Sequence, residues 1–443
     1  MRLKILILLC CAVLSMQAQR LLTLDECITI GIENNLSLKQ KRNAMESAKL
    51  GVSENRAKLL PQISGYANLN DNFMPPSSVT DGRAAGRMYN VTPMVQYNAA
   101  FGMSLKLPLY NQQLYTSMDL ARMMNDIATL DYAKAKDELV MSVCEMYYMC
   151  QVTAEQLKLV SDNIARLEEL RDITAAFYDN GMVVEVDLKR VNINIENLRV
   201  WYDNAKSLME NQINRLKYII DYPLEEAIQL TDIEHDSTMV EATFDGLASD
   251  LPELQLVDSQ LEVVNKKQKL VNQGYIPSLS FTANVGHNAY SHTFVDWFEG
   301  GTESNKLYNS NGIGLSLQIP IFDGLEKRYK NKRAKLDVEN ARITVENTRN
   351  NFEIQYINAM NDFVNNRESY YRQKENYELA EEVYRITMER YKEGIATMTE
   401  VLQDEMRMSE AQNGYLSAHL NYRVANLRLI KLTGKLYKIE NRE

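Results

Sequence analysis

From Val95 to Tyr110 apolar residues take every odd position, as Val95, Tyr97, Ala99, Phe101, Met103, Leu105, Leu107 and Leu109, while Gln96, Asn98, Ala100, Gly102, Ser104 and Lys106 hold the even ones. A period of two marks a β-strand with one oily and one wet face. The alternation returns at Gly312–Phe322, where Ile313, Leu315, Leu317, Ile319 and Ile321 alternate with Gly314, Ser316, Gln318 and Pro320. Two more stretches repeat it: Ile63, Gly65, Ala67 and Leu69 against Ser64, Tyr66, Asn68 and Asn70, and Leu279, Phe281, Ala283 and Val285 against Ser280, Thr282, Asn284 and Gly286. Four strands are therefore expected, at about 62–71, 94–108, 278–287 and 312–322. Asp71–Pro93 and His287–Asn311, rich in turn residues, are expected as long loops within the two strand pairs.

Between the strands the breakers vanish. None of the nine prolines falls between residues 109 and 222 or after 320, and Gly181 is the only glycine of the first gap. Such gaps read as very long helices. Leu157, Val160, Ile164, Leu167, Leu170, Ile173 and Phe177 recur by threes and fours, as a coiled-coil seam does. A helix from Asn111 to Asp179 would extend ~100 Å. It breaks at Gly181, and a helix from about Val186 to Asp221 runs back, making a hairpin with Gly181 at its tip. Leu24–Leu60 and Glu253–Gly274 are expected as single helices ahead of each strand pair; Leu325–Lys392 breaks at Gly394 and helix resumes to about Thr433.

The landmarks repeat. Pro61 answers Pro277 at an offset of 216, Pro108 answers Pro320 at 212, and Gly181 answers Gly394 at 213. The chain reads as an internal duplication, with a first repeat over 19–222, an acidic surface connection over 223–252, a second repeat over 253–434 and a tail over 435–443.

Net charge and cysteines narrow the class. A net charge of −10 without a basic stripe argues against nucleic acid. Residues 1–18 have the anatomy of a secretory signal, with Arg2 and Lys4 before the apolar run Ile5–Leu14 and Met16-Gln17-Ala18 at the cleavage edge. Cys10 and Cys11 could form a lipobox, but only five apolar residues precede Cys10. Cys27, Cys144 and Cys150, odd in number and irregular in spacing, read as buried or idle thiols rather than a disulfide framework or a zinc site. No later apolar run approaches the ~20 residues of a spanning helix, so any membrane crossing falls to the strands. Four strands cannot close a barrel, and an open edge in lipid leaves backbone groups unpaired. Several chains must then share one barrel; two would give eight strands and a filled interior, three would give twelve and room for a lumen. Three is the expected number.

Catalytic patterns are absent. His235, His287, His292 and His419 are scattered, no HExxH, G-x-S-x-G or phosphate loop occurs, and Gly312-x-Gly314 lies in a strand without a third glycine. No enzyme activity, metal or cofactor is expected.

Two strand entries (Leu60-Pro61-Gln62-Ile63-Ser64 and Ile276-Pro277-Ser278-Leu279-Ser280), two strand exits (Leu105–Leu109 and Leu317–Ile321) and two glycine turns, in this order and duplicated, carry a resemblance. Tyr391-x-x-Gly394 followed by Glu400-Val401-Leu402, with Asp187-Leu188 after Gly181, completes it. Across essentially the whole mature sequence the chain resembles the outer-membrane efflux protein (TolC) family. The resemblance implies a mixed α and β membrane protein: a homotrimer whose twelve-stranded outer-membrane β-barrel, four strands per chain, continues into a long periplasmic α-helical barrel. It implies a passive exit duct in a tripartite efflux or type I secretion system, working with a periplasmic adaptor and an inner-membrane pump of the RND, ABC or MFS type. By the same resemblance Asp187, Tyr391 and Glu400 would line or hold the periplasmic aperture, with Gln403 where the family often has a second acid and Asp404 beside it. Ala396 stands where an Arg sometimes occurs. Gly181, Met182, Gly394 and Ile395 would be adaptor contacts. The rival reading is a non-conducting periplasmic coiled-coil adaptor or scaffold, which would not need eight apolar residues along one strand face.

Overall fold

The computed structural model describes residues 20–74, 77–81, 83–86, 88–93, 95–232, 244–291, 293–294, 307–436 and 439. The expected signal with Cys10 and Cys11, His235, His292 and much of the acidic connection lie outside these residues. The chain divides into two compact units, one built from residues 1–45, 128–258 and 344–443, the other from 46–127 and 259–343.

In the second unit, β2 (Gln62–Asp71), β5 (Tyr97–Tyr110), β7 (Ser278–Ser291) and β8 (Leu307–Gln318) form one antiparallel sheet in the order β2-β5-β7-β8. Residues opposite each other in an antiparallel ladder share a face, so the register tests the alternation directly. Ile63 faces Leu105, Leu105 faces Ala283, and Ala283 faces Ile313; Met103 faces Val285, and Phe281 faces Leu315. The apolar sets of all four strands therefore merge into one continuous face. It is bare in the single chain, with Ile313 83% and Leu315 69% exposed. The opposite face carries Ser64 hydrogen-bonded to Ser104 (2.8 Å), Asn70 to Asn98 (2.9 Å), and Asn284 to the Ser310 carbonyl (3.2 Å).

On that polar face Gly102 stands directly opposite Gly286, and Tyr66 lies over both. A Cβ on Gly102 would sit 2.4 Å from the Val285 carbonyl oxygen, and one on Gly286 would sit 2.7 Å from that of Phe101. Two strands approach here more closely than side chains allow, and the tyrosine ring covers the gap.

Several elements depart from the sequence reading. The Asp71–Pro93 loop carries a two-stranded hairpin, β3 (Ser77–Asp81) with β4 (Tyr89–Pro93), since Val79, Thr80 and Val91 favour extended backbone. Pro108 lies inside β5 rather than at its exit, next to a register shift between Pro108 and Tyr110 that accommodates the missing N–H. Strand β8 ends at Gln318, so Ile319, Pro320, Ile321 and Phe322 lie beyond its ladder.

Helices make up most of the first unit and the part of the second outside the sheets. Instead of one helix over Leu24–Leu60, α1 (Leu24–Asn34) and α2 (Leu36–Ala57) meet at Asn35. The Asn35 carboxamide oxygen accepts from the Leu38 N–H (2.9 Å) and its Nδ2 donates to the Ile219 carbonyl (2.8 Å), so it restarts one helix while tying it to another. The long helices are α3 (Gln112–Asp179), α4 (Glu185–Ile220), α6 (Glu326–Lys392) and α7 (Met398–Leu432), with α5 (Pro252–Gln273) before the third strand of the sheet. The connection over 223–252 is more than surface: β6 (Ile228–Leu230) pairs in parallel with β1 (Arg20–Leu22), and Ile228, Leu230 and Leu251 are buried. The buried Tyr147 hydroxyl joins their ends, donating to the Leu22 carbonyl (3.0 Å) and accepting from the Thr231 N–H (3.3 Å). The tail also packs, with Leu436 and Ile439 buried in the same core. Cys27, Cys144 and Cys150 are buried free thiols, and burial pushes Cys27 and Cys150 up to about 12, which leaves them unreactive.

Gly102→Ala is expected to cost about 3 kcal/mol or more by overpacking the β5–β7 ladder. Gly65→Ala, whose Cβ would have its nearest neighbour at 3.8 Å, should be tolerated. Sheet content by far-UV circular dichroism and protease resistance of purified protein distinguish the two; equal behaviour would contradict the close approach.

Candidate functional site

The two helix-reversing turns are built from the same bonds. After α3, the Gly181 N–H donates to the Tyr178 carbonyl (2.9 Å) and the Met182 N–H reaches back to Phe177 (2.8 Å). After α6, Gly394 donates to Tyr391 (2.9 Å) and Ile395 to Arg390 (2.8 Å). Both are Schellman caps, in which the residue after the helix takes a left-handed conformation; Gly181 and Gly394 both have φ of 75°. The residue after such a glycine usually folds back onto its helix, but Met182 and Ile395 are 63% and 62% exposed. Each turn thus presents an uncovered apolar side chain just after its glycine, and the first adds Val184, 62% exposed.

Below the turns the four helices share a core that includes Leu167, Leu170, Val191, Ile195, Met388 and Val401. Tyr391 belongs to this core and is 3% exposed. Its hydroxyl lies 3.1 Å from that of Thr174 and its ring 5.6 Å from Phe177, so it fastens α6 to α3. Burial raises its pKa, the Thr174 hydrogen bond opposes that, and the Asp187 charge adds to it. Asp187 and Tyr391 are thus close enough to interact electrostatically. Asp187 also accepts from Arg190 Nη1 at 3.1 Å.

Glu400 is engaged locally. Thr397 is the N-cap of α7, the Glu400 N–H donates to its hydroxyl (3.3 Å), and the Thr397 N–H donates to Glu400 Oε2 (2.8 Å), a complete capping box. The equivalent cap of α4 is Val184, which has no side chain to reciprocate, and this leaves Asp187 to Arg190. Gln403 is exposed. Asp404 accepts from the Thr387 hydroxyl at 2.7 Å and lies 3.5 Å from Arg407. The structure therefore gathers Asp187 and Tyr391, but gives Glu400 and Asp404 separate partners.

A set of polar residues that the sequence reading passed over lies along α7 at intervals of seven: Glu405, Gln412, His419 and Asn426 are all buried. Gln412 accepts from Asn163 of α3 (2.8 Å), and Arg423 bridges His419 (3.1 Å) to Gln151 of α3 (2.9 Å). Burial and the nearby Arg423 and Lys374 charges pull His419 down to about 4. Tyr370 stacks on Tyr422 and Tyr377 on Tyr415 alongside. Glu405 is 6% exposed and its Oε1 has no hydrogen-bond partner. Burial pushes its carboxyl up to about 7, against the pull of Arg166. The spacing was present in the sequence; what concealed it is that polar residues at helical spacing ordinarily mark a solvated face.

No group of three or more His, Cys, Asp or Glu side chains able to hold a metal occurs among the described residues. No helix there is long and apolar enough to cross a membrane.

The family described as "Outer membrane efflux protein" matches residues 29–220 and 247–435. The chain is 23% identical over 314 residues to the probable efflux pump outer membrane protein TtgC of Pseudomonas putida, covering 68% of this chain and 60% of that one. It is 20% identical to the outer membrane protein TolC of Vibrio cholerae, covering 68% and 66%. The chain thus spans about 60% of the length of the first curated relatives it matches. Among solved structures, the open state of the Neisseria gonorrhoeae MtrE outer membrane channel superposes with a TM-score of 0.75 at 20% identity, covering 95% of this chain and 91% of that one. CusC superposes with a TM-score of 0.75 at 15% identity, covering 93% and 91%.

The Glu405 carboxyl makes stability depend on pH. Its folded pKa is raised from 4.5, so the advantage of its neutral form is complete below 4.5 and is lost as pH rises through about 7. Glu405→Gln should leave the thermal midpoint unchanged at pH 4 and raise it at pH 8, by up to about 3 kcal/mol of stability per chain. A variant less stable than the parent at pH 8 would mean that the ionised carboxylate is stabilised.

Proposed function

The chain belongs to the outer membrane efflux protein family and is placed in the outer membrane, and from that premise we propose that it is the passive exit duct of a tripartite efflux or type I secretion system. Three chains contribute four strands each to one twelve-stranded barrel, and their long helices form a periplasmic tunnel. A periplasmic adaptor and an inner-membrane pump of the RND, ABC or MFS type complete the pathway, and the pump supplies the energy. The two halves, 19–222 and 253–434, are duplicated repeats joined through 223–252.

The observation that carries this reading is the sheet β2-β5-β7-β8: one face is apolar and uncovered over most of its length, the other is mainly polar, and neither outer edge is paired among the described residues. An apolar face of that kind suits lipid, and the polar face suits a water-filled lumen. A helical scaffold without a membrane role leaves both the bare face and the open edges without purpose.

At the periplasmic end, Asp187, Tyr391, Glu400, Gln403 and Asp404 make up the aperture, and Gly181, Met182, Gly394 and Ile395 meet the adaptor. The exposed Met182 and Ile395 support the contact role, since each turn presents an apolar side chain to whatever caps it. Tyr391 acts by holding α6 to α3 rather than by lining the opening. Three copies of Glu400 about one axis would attract cations.

Detergent-extracted protein should run as a trimer and form ion-permeable channels in planar bilayers; recovery in the soluble periplasmic fraction without detergent would defeat the proposal. Glu400→Gln keeps an acceptor for the capping box but removes the charge, and should lower cation preference by a factor of about 2 or more. Reversal potentials in a salt gradient that match the parent across pH 5–8 would take Glu400 out of the aperture.

A further inference from the structure

Between α4 and α7 runs a groove of about 910 Å³ that is open to solvent along one side. From α4 it is lined at intervals of three or four by Arg190, Asn194, Asn197 and Trp201, and from α7 by Leu402, Met406 and Asn413 among others. Trp201 is 54% exposed and Met406 55%, so a large indole and a thioether stand uncovered on the two walls. Glu405 also lines the groove, nine-tenths buried, with its Oε1 lacking any hydrogen-bond partner. A buried acceptor without a partner carries a large cost that a donor or cation would remove.

Neighbouring cations do not fill that role. Arg166 of α3 donates to Asn163 (2.5 Å) and lies 3.9 Å from Glu381. Arg190 of α4 is bonded to Asp187. Glu410, on the exposed surface of α7, adds a second carboxylate to the lining. The groove therefore offers at depth a carboxyl oxygen without a hydrogen-bond partner, an aromatic face and a polarizable sulfur at the sides, and amides between them. Its volume lies in the range of sites for small organic molecules, ~300–1,000 Å³.

We infer that this groove is a binding site for an amphipathic organic cation, whose charged centre pairs with Glu405 while its apolar body lies against Trp201 and Met406. The indole contributes cation–π attraction as well as area. The site does not depend on conduction by the chain, so it stands or falls apart from the duct reading. Six charged or titratable groups lie around the site, Arg166 and Glu169 from α3, Glu381 and Tyr384 from α6, Arg190 from α4 and Glu410 on Glu405's own helix; of these Arg166 pulls the Glu405 pKa down, and the Glu405 charge in turn acts on Tyr384. Glu381 is paired with Arg166, Glu169 with Lys392 and Arg190 with Asp187, while the buried Arg166 Nε makes no hydrogen bond to Glu405 or to any other group.

The test uses the full chain held in amphipol with Trp297→Phe, which leaves Trp201 as the single indole, the sequence having two tryptophans. Tetraphenylphosphonium is titrated against Trp201 emission, with tetraphenylborate as an anion of nearly the same shape. Saturable quenching by the cation and none by the anion is expected. Glu405→Gln should weaken cation binding roughly tenfold, the size of a lost charge-assisted contact. In the parent, binding should strengthen roughly tenfold from pH 6 to pH 8 as Glu405 ionises, and in Glu405→Gln that dependence should vanish. Equal response to both ions, or an affinity that ignores both pH and the Glu405 substitution, overturns the inference.

Discussion

A backbone amide facing hydrocarbon has no water to fall back on, so its partner must come from protein. Inside the sheet β2-β5-β7-β8 every neighbouring strand provides that partner, down to the tight Gly102–Gly286 contact. The outer edges of β2 and β8 have none among the described residues. Soluble proteins blunt such edges with lysine, proline or short strands, yet β2 and β8 run ten and twelve residues without Lys or Pro. They also carry exposed Ile63, Leu69, Ile313 and Leu315 on the apolar side. Edges this long and unprotected are made for pairing, and in the proposed trimer β2 of one chain meets β8 of the next. The oligomer then follows from hydrogen-bond satisfaction rather than from a large apolar interface.

The helical turns obey a more local constraint. Reversing a helix at one glycine requires a left-handed residue and a fresh N-cap a few residues on, and both turns meet the first demand identically. They differ at the second. Thr397 closes a capping box with Glu400, while Val184 cannot do the same for Asp187. One carboxylate is thus committed to starting its own helix, and the other is left to Arg190 and to the electrostatics of Tyr391. The two acids occupy matching places in the chain but do different physical work.

Strand faces and helix breaks were legible because they depend on nearest neighbours: a period of two, and the placement of Pro and Gly. The departures come from partners far away in the chain. Asn35 splits a helix because the Ile219 carbonyl, 184 residues on, receives its side chain. Strand β6 exists because β1 lies beside it, with Tyr147 closing their ends. The candidate site divides in the same way. Gly181 and Gly394 could be found from their own chemistry, whereas the burial of Glu405 depends on α3 and α6, and its heptad spacing alone reads as a solvated face.

The polar line on α7 also separates a fixed part of the helical unit from a less constrained one. Apolar seams tolerate sliding, but matched buried polar pairs fix one register. Between residues 151 and 163 of α3 and residues 412 and 423 of α7 the pairs are matched, Asn163 to Gln412 and Gln151 to Arg423. One heptad nearer the turns the match ends, because Glu405 faces Arg166 without bonding to it. Beyond that point the core is aliphatic and aromatic side chains and methionines, with the Tyr391–Thr174 hydroxyl contact joining α6 to α3 and the Thr387–Asp404 bond joining α6 to α7. A shift of α6 and α7 against α3 near the turns therefore breaks one buried hydrogen bond, whereas the same shift higher up breaks a network. Near the turns the exposed ion pair of Glu169 with Lys392 takes over from the buried polar pairs as the charged link between α3 and α6.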